Sequence, residues 1–180
     1  MKKLVLSLAM VLGATFAFGQ ELSKEELKQQ KKQIKALMAI VNDAEMNMQS
    51  DPIGAANAMR PVVKNSLVNK DAYVWFVSAS AKQNVVAAEN NKRAEGAAYN
   101  EELLYSYTLE LGQDLAKCEE CDALPDAKGR VRPRYSEFLK MSYMQQYGQF
   151  YNAGAYYYGN EDYNKAYDLF KMFIDTADKL

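Results

Sequence analysis

The sequence predicts an all-α chain of antiparallel helix pairs, and three observations carry that prediction. Apolar residues recur at spacings of three and four along most of the length, the pattern of helices with one buried stripe. Capping signals punctuate that pattern at Ser23 with Glu26, Asp51 with Pro52, Asp71 and Asn100. Strand signals fail throughout, because alternating runs are short and β-branched residues are sparse.

The first residues stand apart from the fold. Met1-Lys2-Lys3, an apolar run from Leu4 to Phe18 and the small-residue end Ala17-Phe18-Gly19 read as an export signal over residues 1–19, cut between Gly19 and Gln20. About fifteen apolar residues fall short of the about 20 a membrane span needs. No later stretch is apolar enough to cross a bilayer, and no cysteine at the cut offers a lipid anchor. Residues 20–180 are therefore expected to form one helical domain of an exported chain, periplasmic or secreted, with no membrane span.

The elements follow in order. Ser23 and Glu26 make a capping box flanked by Leu22 and Leu27 as a staple, and Leu27, Ile34, Leu37, Val41 and Met48 mark the buried stripe of a first helix ending near Ser50. Asp51-Pro52 opens a second, expected to reach about Val68 with a kink or break near Met59, since Pro61 lies inside it. Asp71 caps a third, with Trp75, Ala79, Lys82 and Val86 on one face, until the polar run from Glu89 to Gly96 interrupts it. Asn100 restarts the chain after a long connection, and Leu104, Tyr107, Leu111 and Leu115 carry the next stripe. Residues 118–133 hold two prolines and no apolar period and read as a connector. A long helix resumes at Arg134 through Phe138, Ser142, Phe150, Ala153 and Tyr157, turns at Gly159-Asn160, and is followed by a last helix at about Glu161 to Asp178 packed through Ala166, Phe170 and Ile174.

Composition excludes whole classes of chemistry. The 22 Lys and Arg against 23 Asp and Glu become 20 against 23 once Lys2 and Lys3 are removed, too mild an imbalance to predict nucleic-acid binding. Histidine is absent, which removes imidazole bases, Ser-His-Asp hydrolysis, Cys-His proteolysis and His-ligated zinc. Neither metal nor cofactor is expected, and no pair of carboxylates or lysines is placed as an enzyme site would require.

The stretch from Phe150 to Phe170 is the most distinctive. Phe150, Gly154, Tyr157, Ala166 and Phe170 set bulky, small and aromatic residues where two short antiparallel helices must touch, and this pattern resembles one tetratricopeptide repeat (TPR), best matched over about residues 147–180. Phe173 stands where the pattern has alanine and Glu161 where it has a turn glycine. Trp75 and Ala79 resemble the opening positions of a second repeat, with Lys82 in the place of the aromatic. With the export signal and the Leu124-Pro-Asp-x-Lys-Gly-x-x-x-Pro133 connector, the chain is similar to exported TPR proteins of Bacteroidetes-type bacteria. The resemblance implies a short right-handed α-solenoid and a non-enzymatic scaffold that holds a protein or peptide in a concave groove. No polar capping helix follows the last pair, so its open face is expected to meet another chain or further sequence. Self-association or docking through Phe173, Ile174 and Leu180 is the alternative role.

Candidate site residues follow from both readings. Nine of the 13 tyrosines lie between Tyr135 and Tyr167. Tyr151 and Tyr158, seven apart, with Asn152 beside them, are the expected groove contacts, against the plainer possibility of ordinary helix packing. Arg130 and Arg132, with Lys128 and Arg134, form a basic cluster that suits a carboxylate partner or simply pairs with Glu119, Glu120, Asp122 and Asp126. Cys118 and Cys121 form a CxxC that is either a local disulfide or a pair of free thiols, since the βαβ setting of a redox motif is missing.

Overall fold

A computed structural model describes residues 23–180. The export signal over residues 1–19, its cut after Gly19 and Leu22 of the staple lie outside the described residues. Among the described residues there are six helices and no strand: α1 (Lys24–Asn47), α2 (Pro52–Val63), α3 (Ala72–Ala94), α4 (Glu101–Asp122), α5 (Ser136–Gly159) and α6 (Tyr163–Ala177).

Most starts are fixed by the side chains the sequence nominates. Ser23 N–H donates to Glu26 Oε2 at 2.8 Å while Glu26 N–H donates to Ser23 Oγ at 3.3 Å, closing the capping box of α1. Asp51 accepts from Gly54 N–H, Asp71 from Tyr73 N–H, Asn100 from Leu103 N–H and Asp162 from Lys165 N–H. Helix α5 begins without a side-chain cap. The chain entering it is held instead by Asp122 Oδ2 at the end of α4, which accepts from Arg134 N–H at 2.7 Å and Tyr135 N–H at 2.8 Å.

Several boundaries differ from the sequence reading. Helix α2 closes at Val63, two residues past Pro61, so Val68 is buried from the turn that follows rather than from the helix. Helix α3 continues through the polar run to Ala94 because Glu89 turns inward, accepting from Asn100 N–H at 2.7 Å and from Lys92 Nζ at 2.5 Å. The link between α3 and α4 is thus residues 95–100 and not a long connection. Helix α4 runs on through both cysteines to Asp122, so the connector spans residues 123–135. In α6, Leu169 and Thr176 are buried whereas Ile174 is 62% exposed, so Ile174 is not a packing residue of the hairpin.

Successive helices run antiparallel, as Tyr158 with Tyr163, Gly154 with Phe170 and Tyr151 with Phe173 show for α5 and α6. Alternate helices run parallel, which follows from contacts that keep a constant sequence offset. Asn57 bonds Tyr107 and Arg60 bonds Glu110, both 50 apart, between α2 and α4. Gly112 meets Met172 between α4 and α6, and Glu119 meets Lys179 just past the end of α6. Phe76 packs on Phe138 and Gln83 bonds Gln145 between α3 and α5. Odd-numbered helices therefore form one layer and even-numbered helices the other. Phe150, Met59, Leu104, Leu111, Leu115 and Leu169 are fully enclosed between them, each such side chain contributing about 1.5–3 kcal/mol by burial.

Candidate functional site

The last pair tests the residues singled out from sequence. Phe150 is fully buried, Tyr157 and Ala166 nearly so, and Gly154 lies under the Phe170 ring. Tyr151 and Tyr158 stay 53% and 63% exposed and Asn152 is exposed beside them. Tyr151 is not a free arm: its ring lies 5.7 Å from that of Phe170 and 5.5 Å from that of Phe173. Tyr158 meets Tyr163 edge to face at 5.6 Å. These contacts join the two helices into one aromatic surface with its hydroxyls in water.

That surface is wider than the two tyrosines. On α5, Met141, Met144, Gly148, Tyr151, Ala155 and Tyr158 alternate at spacings of three and four and are all exposed, so one helix carries two stripes, one buried and one open. On α6, Tyr163, Tyr167 and Ile174 repeat the arrangement at 59, 68 and 62% exposure. Beneath them Tyr147 stacks on Phe173 at 4.4 Å, filling the place of the expected alanine. The methionines and α6 residues were legible only as a second period on the same helices, a signal masked by the first. Among the described residues, α3 and α4 carry no exposed large apolar side chain at all.

The basic cluster lies elsewhere. Arg130 holds Asp126 through two nitrogens at 3.0 and 2.7 Å, and Arg134 sits 3.6 Å from Asp71 and 3.9 Å from Asp122. Both therefore pair with acids of their own chain, while Arg132 is exposed. The connector precedes the start of α5, and Tyr151 lies 15 residues further on, roughly 22 Å along the helix. The structure does not unite Arg130 and Arg132 with Tyr151 and Tyr158 in one pocket.

Cys118 and Cys121 are free and buried, one turn apart on α4. Each thiol points at a backbone carbonyl across the α3 start, Cys118 at Ala72 and Cys121 at Asn69. Burial pushes Cys118 up to about 12 and Cys121 up to about 11, so both stay protonated and are poor nucleophiles. The two sulfurs are unbonded in this structure, each directed at its own carbonyl.

Two polar clusters complete the inventory. A shallow cleft of about 320 Å³ opens at the end of α4, lined by Glu119, Asp122, Ser136, Lys140, Tyr143 and Lys179. Tyr143 donates to Glu119 at 3.1 Å, Lys179 pairs with Glu119 and lies over the Tyr143 ring, and burial holds the phenol far above its ordinary range. These groups satisfy one another. Deeper, Lys82 Nζ lies 2.6 Å from Asp114, which also accepts from Ser78, and 3.4 Å from Glu110. The lysine that replaces an aromatic is thus a paired core charge. Among the described residues no group of three or more acids or cysteines is placed to hold a metal, and no helix is long and apolar enough to cross a membrane.

Comparison with protein-family models, characterised proteins and solved structures finds no match for this chain.

Proposed function

We propose that this chain is an exported, non-enzymatic scaffold whose TPR-like helix pairs form a short right-handed solenoid and hold a protein or peptide partner on the aromatic face of α5 and α6. The observation that carries this reading is the open stripe from Met141 to Tyr158, continued by Tyr163, Tyr167 and Ile174. Contiguous exposed apolar surface on a folded chain marks an interaction site. Tyrosine suits the task, since it offers a large rigid area at small entropy cost with a hydroxyl for directional bonds. Arg130 is occupied by Asp126 and takes no part in this account.

The test is capture of partners from a periplasmic extract by the purified protein and by a Tyr151→Ala/Tyr158→Ala variant of equal helix content. Loss of specific partners from the variant supports the face; identical recovery by both removes it. A second reading, a structural subunit that docks through its last helix pair, is favoured by the exposure of Tyr167 and Ile174 on α6.

A further inference from the structure

An internal alignment shows what kind of group the open face takes. Trp75-x-x-x-Ala79-x-x-Lys82 and Phe150-x-x-x-Gly154-x-x-Tyr157 share one spacing on α3 and α5. Superposing them sets Phe76 opposite Tyr151 and Gln83 opposite Tyr158. Phe76 and Gln83 both reach from α3 to α5 and its start: Phe76 lies 4.6 Å from the Tyr135 ring and 4.8 Å from the Phe138 ring, and Gln83 bonds Gln145 at 2.6 Å and Ser142 at 2.9 Å. Tyr151 and Tyr158 therefore stand where the preceding pair grips its neighbour. At the equivalent positions of α3 the neighbour is a helix that runs parallel to it.

The opposite end of the stack is open too. Ile40 and Met46 on α1 and Ile53 on α2 are 40, 74 and 42% exposed. Ile40 flanks the buried stripe of Ile34, Met38, Val41 and Ala44, Met46 lies further round on the outer side, and the small residues Ala36 and Ala39 are exposed there as well. Only the central pair, covered on both sides, lacks exposed large apolar groups among the described helices. Shape rather than charge carries the match: Lys28, Lys32 and Lys35 share the outer side of α1 with Glu25 and Asp43, and α6 balances Lys165 and Lys171 against Asp168 and Asp175.

We infer that the α5–α6 face receives the α1–α2 face of a second copy of this chain, end to end. A single occupant covers both open ends and extends the helix-on-helix interface already present between α3 and α5. Because the two faces differ, the contact is heterologous and the assembly is open-ended rather than a closed dimer. The inference rests on the reading of α5–α6 as an interaction surface and names the partner of that surface.

The experiment is light scattering on protein purified from cells expressing the full chain, over a wide concentration range, with two face variants. Ile40→Glu/Met46→Glu blocks one end and Tyr167→Glu/Ile174→Glu the other; Ala39→Lys and Tyr163→Lys serve as second variants of the same faces should either fail to retain its helix content. The expected result is a mass that rises with concentration past that of a dimer, monomers for each variant alone, and a dimer and nothing larger when the two variants are mixed. A variant blocked at α1–α2 that still dimerises alone would overturn the head-to-tail arrangement. A chain that stays monomeric at every concentration would overturn self-docking, while partner capture that depends on Tyr151 and Tyr158 would leave the scaffold reading standing.

Discussion

The Phe170 ring covers Gly154 so closely that a Cβ on that glycine would lie 2.8 Å from ring carbons Cδ1 and Cε1. This approach sets the spacing of α5 and α6. Gly154→Ala is expected to destabilise the chain by about 1–3 kcal/mol through overpacking. Gly148, on the same helix, has open space around it, so Gly148→Ala is expected to stabilise by about 0.5–1 kcal/mol through helix propensity alone. Urea midpoints of the two variants check the pair; movement in the same direction would contradict the packing described.

Lys82 and Asp114 form a buried pair that neither can leave singly. Lys82→Met strands the Asp114 carboxylate and is expected to cost about 3–5 kcal/mol. The double change Lys82→Met/Asp114→Leu removes both charges and is expected to cost much less than the sum of the single changes. Chemical denaturation of the full cycle decides it, and additive losses would show that the two residues do not act together.

Glu89 gives the link between α3 and α4 a pH dependence. Burial alone raises its carboxyl, but the Lys92 ammonium and the Asn100 amide outweigh burial and hold it below the ordinary carboxylate range. With the folded value depressed, this contribution is fully present above the unfolded value of about 4.3 and is lost as pH falls through the folded one. Glu89→Gln is expected to lose about 1.5–3 kcal/mol at neutral pH, the worth of charge-assisted bonds, and to show a flatter acid limb. Thermal unfolding from pH 7 to 3 compares the two; parallel acid limbs would place the sensitivity elsewhere.

Both thiols are shielded by the fold. Cys118 and Cys121 are expected to resist alkylation in the native protein at pH 8 and to react rapidly, at two sites per chain, once unfolded without reductant. Mass spectrometry counts the labels. A denatured chain that takes none until reductant is added would reveal a disulfide.

Local chemistry made much of this fold legible. Ser23, Asp51, Asp71 and Asn100 announce themselves as caps because their side chains act within three residues. Helix ends proved harder, since Glu89 looks like a solvent-facing breaker until Asn100 and Lys92 are brought to it, and the Cys118–Asp122 segment shows a buried side only once its thiols are seen against the Ala72 and Asn69 carbonyls. Glu161 stood out by type, and its φ of 63° is the left-handed turn where glycine is favoured. On the candidate surface, Tyr151 and Tyr158 were visible by their seven-residue spacing. Met141, Met144 and Tyr167 were not, because a stripe is recognised as open only once the neighbouring helices show which side they cover.

The central claim is that Tyr151 and Tyr158 occupy uncovered docking positions that Phe76 and Gln83 occupy beneath α5. The direct measurement is the urea midpoint of Phe76→Ala/Gln83→Ala against that of Tyr151→Ala/Tyr158→Ala, in dilute protein. The account predicts a loss of about 2–4 kcal/mol for the first pair and about 1 kcal/mol or less for the second. Equal losses would contradict it.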